Sequence, residues 1–535
     1  MDFSFSADVS RTVTEGYKIW LAGGATVLAL AWIRIPRKWS VQLLVVLLAI
    51  SAMNYARWGT EAATRRLDAY DLLHYYVNAK YFDELGYLDL YPAVLLVDHD
   101  NSGPFFDQGN QYLAQDEDGH HLESIGHALS RGELVRRERF TEDRWDQFEH
   151  DVLYLQRTVG CRRRNSKGRC VQEINDRLWR QLINDHGFNG TTAWTAIARP
   201  IASMVPVESI KLLGYLDVLL LSAAIAAVVW AYGTVPALWT ALFLLTSYST
   251  RWPYFSWVFL RYDWVAGLLL ATAMLKRGKP LLAGLFAGWT AVLRMFPAMW
   301  MWGPLGKGLS GLVEGTVHRR LLVFAGGFLL SATILQGGAT LSVGADQVET
   351  HFHNMLDHND PMQLSSRRIG LALALSSTPW RGTRVNKIIA VEQKKRIEAQ
   401  KPLRYGLAAL ILVALAWGLR RSRDDEAYAF GFFPFYLLTT ASYYYYVARV
   451  TLIVVHAADL HRLRNRVGLA SLFGMELFCN WAQTVHSDHR LFLIGTLSWL
   501  IAAYILIQVG WLLLEARSPL ETTPQPPDVP KPQEG

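Results

Sequence analysis

Apolar residues in this chain come in long blocks rather than at the spacings of an amphipathic core. Blocks such as 212–230, 265–275 and 491–514 carry little or no charge, while charged residues gather at 57–199 and 346–404. A soluble multidomain chain would spread its core positions at helical or strand periods along its whole length. The pattern predicts a polytopic membrane protein instead. Apolar segments near 18–33, 40–56, 208–231, 234–249, 256–275, 281–294, 296–306, 321–342, 404–419, 428–446, 447–460, 467–482 and 491–514 read as helical spans. Several fall short of the ~20 residues that an upright helix needs to cross the hydrocarbon core. The pair at 281–294 and 296–306 flanks Arg294-Met295-Phe296-Pro297 and predicts two short helices meeting inside the bilayer. Such a break is tolerated only where the backbone lines a cavity. The expected fold is all-α, a transmembrane helical bundle of about 11–13 spans with a large outer-face loop domain.

Orientation follows from basic residues in the short loops. Arg34, Arg37 and Lys38; Lys276, Arg277 and Lys279; Arg319 and Arg320; Arg420, Arg421 and Arg423; and Arg462, Arg464 and Arg466 all fall on one side of a single topology, the cytoplasmic side. Residues 1–56 then form two N-terminal spans, and 57–207 an outer-face, mostly helical domain with runs such as 130–157. Residues 208–342 carry spans that include the broken pair, and 343–403 form an outer-face loop. Within that loop 385–400 reads as an interfacial amphipathic helix, with Ile388, Ile389 and Ile397 toward lipid. Residues 404–514 are the C-terminal spans, and 515–535 a disordered Pro-rich cytoplasmic tail. The first apolar segment is followed by Arg34-Ile35-Pro36-Arg37-Lys38 rather than a small-residue cleavage site, so it reads as a span. No internal repeat is visible.

Composition sharpens this reading only at two points. Of 535 residues 51% are hydrophobic and 19% charged, and the net charge of +7 sits largely in short interspan loops. That distribution gives no nucleic-acid signature. Of the three cysteines, Cys161 and Cys170 bracket a short basic segment with no CxxC, which suits a disulfide-closed loop better than zinc. Outside the cytoplasm a bridge is favoured, and Cys479 in an apolar segment reads as packing.

Three constellations carry candidate chemistry. Just past the second span come Asp68, Asp71, His74, Tyr75 and Asn78; in a helix over 71–85, Asp71, Tyr75 and Asn78 share a face with Asp68 one turn before. A carboxylate at a membrane mouth suits deprotonation of a hydroxyl. Taken alone, an aspartate that opens a helix and a belt of interfacial tyrosines explain the segment better. The second constellation is cationic: Arg294 at the junction of the short helices, with Arg251, Arg261 and Arg449 near the outer ends of spans. An arginine in hydrocarbon faces a polar cavity or a partner, and a lipid phosphate is such a partner. Asp263 lies two residues from Arg261, so a structural ion pair competes for it. The third is His351-Phe352-His353 with Asp357 and His358, whose spacing matches no zinc signature and suits hydrogen bonding to a polar substrate, or to water. Ser442-Tyr443-Tyr444-Tyr445-Tyr446 reads as an interfacial anchor ahead of a sugar-stacking surface, and Glu476 is an intraspan carboxylate in want of a partner. Asn189-Gly190-Thr191 fits a glycosylation sequon.

The run from Asp71 through Tyr75-Tyr76 and Ala79 to Gly86 and Tyr91 resembles the first outer loop of the GT-C superfamily of integral membrane glycosyltransferases. The likeness is greatest to the polyprenyl-phosphate-sugar-dependent bacterial mannosyl- and arabinofuranosyltransferases. Gly284-Leu285-Phe286-Ala287-Gly288 followed by Arg294-Met295-Phe296-Pro297 is similar to that family's Gly-rich span, which ends in a basic residue, a proline and a short returning helix. Asn359 with Ser366-Arg367-Arg368-Ile369-Gly370 echoes a later loop element. Two departures stand out: a span precedes the catalytic loop, and the loop is longer than usual.

The resemblance implies sugar transfer from a polyprenyl-phosphate donor to a lipid or glycan acceptor, with inversion, at the periplasmic face of a bacterial inner membrane. Asp71 would be the catalytic base. Asp68, His74, Tyr75, Arg261, Asp263, Arg294, His353, Asn359 and Ser366 would bind substrate. No metal-ligand set is assigned, and a divalent cation is left open as a cofactor. Membrane lipids are expected partners, with a protein partner through 57–207 as a further option. Two other classes compete: a transporter or flippase of a lipid-linked solute, and a non-catalytic scaffold that binds through the 57–207 domain.

Overall fold

The structure is a computed structural model, which describes residues 7–56, 69–101, 111–116, 119–159, 161–164, 170–173, 187–250, 259–358, 368–377, 387–485 and 490–517. The all-α expectation holds. Strands among the described residues are confined to three two-stranded antiparallel pairings, Gln111–Asp116 with Gly119–Ser124, Cys161–Arg164 with Cys170–Glu173, and Arg368–Ile369 with Ala441–Ser442. The second sets Cys161 opposite Glu173 and Arg164 opposite Cys170. The predicted Cys161–Cys170 bridge concerns side chains outside the described ones.

Among the described residues five helices are long and apolar enough to cross a membrane: Arg37–Tyr55, Lys211–Tyr232, Arg319–Val343, Lys401–Arg421 and Leu491–Arg517. Other segments expected as spans differ in length, polarity or continuity, and the one expected at 428–446 breaks into the helix Phe432–Leu438, the strand Ala441–Ser442 and the start of a 3-10 helix, Tyr443–Arg449. Thr234–Thr246, Asp263–Lys276 and Pro280–Arg294 have 13, 14 and 15 residues, and Leu463–Val485 buries Arg464 and Glu476. The predicted helix in the 343–403 loop forms at Lys387–Ala399, but Ile397 is buried against the protein rather than turned to lipid.

Small residues decide how the short helices pack. Pro280 opens its helix at a position whose N–H would be unbonded in any case. Gly284 and Gly288 share one face of that helix, and a Cβ on either would run into the backbone carbonyl of Phe324 or Phe328. The helix therefore lies directly on the backbone of Arg319–Val343, as small-residue stripes allow. This close seat fixes where its last residue, Arg294, emerges.

Buried residues form two cores. The larger runs through the bundle, and the second gathers residues of the 72–213 region together with Phe259, Leu260 and Leu293. The two cores thus meet at the segments that carry Arg261 and Arg294.

Several of the basic loops also meet, at the opposite end of the bundle. There Arg420 pairs with Glu314 at 3.0 Å, Arg423 with Asp425 at 3.0 Å and Lys307 with Asp424 at 2.5 Å. Arg464 pairs with Glu426 and, at 3.2 Å, with Glu515. Tyr232 donates to Asp425 at 2.7 Å and lies under the Lys276 ammonium. The Asp263–Lys276 helix runs from this charged end to the junction of the cores.

Candidate functional site

Asp71 sits in a helical segment interrupted by a π-turn: Ala69–Leu72 is α-helical, Leu73–Val77 is π and Asn78–Lys80 returns to α. The extra residue in a π-turn breaks the 3.6-residue period and is common at functional sites. The expectation that Asp71, Tyr75 and Asn78 serve one face changes accordingly. Asn78 is buried and donates at 3.0 Å to the Gly86 carbonyl, where φ of +56° calls for glycine. Tyr75 lines the site.

The segment is tightly held. Tyr76 donates to the Val205 carbonyl at 2.7 Å, and Lys80 and Tyr81 both bond Asp151, at 2.7 and 3.0 Å. Burial pushes both phenols, Tyr76 and Tyr81, well above the usual tyrosine range, so both remain donors.

At the junction of the cores a pocket is lined by Tyr75, Arg261, Tyr262, Trp264, Arg294, Tyr444 and Tyr445. Arg261 forms an ion pair with Asp71, and its guanidinium stands 5.0 Å from the ring centre of Tyr444. Arg294 is buried; Nη2 donates to the Leu260 carbonyl at 3.3 Å, and the guanidinium lies over the rings of Tyr75 and Trp194 at 5.5 and 5.9 Å. Its Nε has no hydrogen-bond acceptor among the described residues. Two cations ringed by aromatic faces have the chemistry that suits an anion with an apolar attachment.

The backbone is strained where the cations stand. Among the described residues the non-glycines with positive φ are Leu260 at 45° and Met295 at 55°, one directly before Arg261 and the other directly after Arg294. Strain of this kind persists only where surrounding structure over-determines it, and it clusters at functional sites. Here the over-determination is visible. The fully buried Asp217 accepts the N–H groups of Arg261 and Tyr262, each at 2.9 Å. Trp194 Nε1 donates to the Leu260 carbonyl at 3.0 Å, and Thr191 donates to the Leu293 carbonyl at 3.2 Å while capping Trp194. Tyr75 donates to Asn189 at 2.7 Å.

The remaining candidates separate clearly. The competing reading of an Arg261–Asp263 ion pair gives way to another: Arg261 goes to Asp71, while Asp263 accepts from its neighbour Trp264 at 2.7 Å and feels the charge of Arg294. His74 is buried away from the pocket lining, with Nε2 2.7 Å from the Tyr91 hydroxyl. His353 is exposed, whereas His351 is buried with its ring 5.5 Å from Tyr87. Burial pushes the His351 imidazole down to about 4. Among the described residues no group of three or more His, Cys, Asp or Glu side chains is placed to hold a metal ion. Asp68, Arg251, Asn359 and Ser366 lie outside the described residues.

The tyrosine run is a 3-10 helix, Tyr443–Arg449, that brings Tyr444 and Tyr445 to the pocket. Glu476 finds its partner in Arg449 at 2.6 Å, and both side chains are fully buried. Asp217, a lone ionisable residue in the apolar block 212–230, is the signal in the sequence that points to this anchoring. The sequon-like Asn189-Gly190-Thr191 gave no sign of its role in pinning the site.

No known family, no curated protein and no solved structure matches this chain.

Proposed function

We propose that the protein is a membrane glycosyltransferase of GT-C-like architecture. It transfers a sugar from a polyprenyl-phosphate donor to a hydroxyl of a lipid or glycan acceptor, with inversion. The observation that carries this reading is the carboxylate of Asp71 beside a pocket that holds Arg261, Arg294 and five aromatic rings.

In the reaction, Asp71 takes the proton of the acceptor hydroxyl. The acceptor oxygen bonds the anomeric carbon as the bond from that carbon to the phosphate oxygen breaks, and the electron pair leaves with the polyprenyl phosphate. Arg294 and Arg261 meet that charge from fixed positions, which is how preorganised dipoles and cations lower a barrier. The aromatic rings suit both the sugar face and the first isoprene units.

Depth in the membrane supports a lipid-borne donor. The Asp263–Lys276 and Pro280–Arg294 helices lead from the basic end to the pocket and have 14 and 15 residues. At 1.5 Å per residue they span only about 20 Å, against a hydrocarbon core of about 30 Å. The pocket therefore lies below the far membrane surface, at the level of a lipid headgroup or deeper. Basic loops mark the cytoplasmic side, so the pocket opens toward the outer face, the periplasm of a bacterial inner membrane.

The test is transfer by purified protein in nanodiscs from a panel of radiolabelled polyprenyl-phosphate sugars to a lipid-extract acceptor. Wild type should form labelled product and Asp71→Asn should not, at equal yield of folded protein. Full activity in Asp71→Asn would remove the base.

A further inference from the structure

We propose that the loop between the Asp263–Lys276 and Pro280–Arg294 helices binds the phosphate of an acidic phospholipid, in the leaflet at the basic end of the bundle. This site lies at the opposite end of those helices from the pocket, and it does not depend on the reaction proposed above.

The loop is only Arg277-Gly278-Lys279, and its backbone is held in one shape. Gly278 has φ of +66°, and the N–H groups of Gly278 and Lys279 donate back to the carbonyls of Leu275 and Met274 at 3.0 and 2.9 Å. This is a Schellman ending, in which glycine supplies the left-handed residue that closes a helix. Pro280 opens the next helix at once. The turn sets both cations on one ring: the Arg277 guanidinium lies 4.7 Å and the Lys279 ammonium 5.1 Å from the ring centre of Trp230. Arg277 also donates to the Trp230 carbonyl, which fastens the loop to the end of the Lys211–Tyr232 span.

Exposure and pairing separate these two cations from their neighbours. Lys276 stands over Tyr232, whose hydroxyl donates to Asp425, and Lys307 and Arg420 pair with carboxylates. Arg277 and Lys279 are exposed, and neither pairs with a carboxylate among the described residues. Two like charges on one ring repel, and an anion between them reverses the sign of that interaction. The negative ends of helices favour cations here, yet the Lys279 ammonium donates to no carbonyl among the described residues.

The surroundings identify the anion. Trp230 is 42% exposed, and Leu281 and Leu282, on the other side of the loop, are 48% and 41% exposed. The cations therefore stand where a lipid-facing apolar surface ends, at the depth of head-group phosphates. Tryptophan marks that boundary, and basic side chains there attract acidic lipids. A phospholipid sets its phosphate on Arg277 and Lys279 and its chains along Leu281 and Leu282, whereas a free phosphate uses only the first contact. The bound lipid would brace the two helices whose other ends carry Asp263 and Arg294.

The test uses nanodiscs of phosphatidylcholine with a rising share of phosphatidylglycerol, and native mass spectrometry counts the lipid that stays on the released protein. Wild type should retain phosphatidylglycerol in preference to phosphatidylcholine. Arg277→Gln and Lys279→Gln should each weaken that retention roughly fivefold, the worth of one basic side chain at an anionic surface, and the double variant more steeply. Arg37→Gln with Lys38→Gln removes the same charge from another exposed basic loop assigned to the same side, and should stay near wild type. In wild type alone, phosphatidylglycerol should slow acetylation of Lys279 by acetic anhydride relative to Lys38, read by peptide mass spectrometry, which covers variants that fold poorly. Equal losses in the two double variants, or protection of Lys279 no greater than that of Lys38, would overturn the site in favour of general surface attraction. Protection by free glycerol phosphate as strong as by the lipid would overturn the lipid as its ligand. Transfer activity is a separate readout, so each of these outcomes leaves the pocket reading as it stands.

Discussion

Removing Glu476 tests whether the pocket's aromatic wall is held by a buried charge pair. Glu476 and Arg449 are fully buried and 2.6 Å apart. Arg449 also donates to the Tyr446 carbonyl at 2.9 Å and to Ser249 at 3.2 Å, and Glu476 accepts the Tyr248 N–H at 2.5 Å. The pair thus ties the 247–250 turn to the 3-10 helix that presents Tyr444 and Tyr445. Glu476→Leu leaves an arginine buried without its counter-charge, a loss of about 3–5 kcal/mol. It also strands the Tyr248 N–H, for about 1–3 kcal/mol more. The double variant Arg449→Met with Glu476→Leu removes both charges together and should recover most of the first loss. Thermal unfolding of detergent-solubilised protein, followed by tryptophan fluorescence, reads the cycle. The single variant should melt well below wild type and the double between them. A single variant as stable as wild type, or a double no better than the single, would refute the assignment.

Two further outcomes follow from the structure. Asp217→Leu strands the Arg261 and Tyr262 N–H groups, each at a cost of about 1–3 kcal/mol; transfer should fall more steeply than folded yield, and equal activity would deny Asp217 its positioning role. His351 stays neutral in the folded chain down to about pH 4, whereas in an unfolded chain it takes a proton below about 6.5. Stability should therefore drain away as pH falls through that window, by up to about 3 kcal/mol, and His351→Phe should flatten that part of a melting-temperature profile measured from pH 7 to 4.

Much of the bundle was legible because hydrocarbon permits few backbone solutions. Apolar blocks became helices, and the break at Arg294-Met295-Phe296-Pro297 became a helix end, a positive φ and a 3-10 turn. Helix length was less legible, since hydropathy blurs where a 14-residue helix stops and a loop begins. The site was legible as single residues and not as pairs. Spacing offered Asp263 as the partner of Arg261, because neighbours in sequence are easy to see, while the actual partner, Asp71, lies 190 positions away. The π-turn at 73–77 could not be read from a 3.6-residue period, and it is what divides Tyr75 from Asn78. The anchoring by Asn189, Thr191 and Trp194 was hidden for the same reason as the Arg449–Glu476 pair: contacts across a fold leave no local pattern.

The most direct measurement is the anomeric configuration of the transferred sugar, determined by NMR on product made from a polyprenyl-phosphate donor of known configuration. A single displacement with Asp71 as base and the two arginines on the leaving phosphate predicts a product of inverted configuration, lost in Asp71→Asn. Retention of configuration, or no product from any donor in the panel, would contradict it.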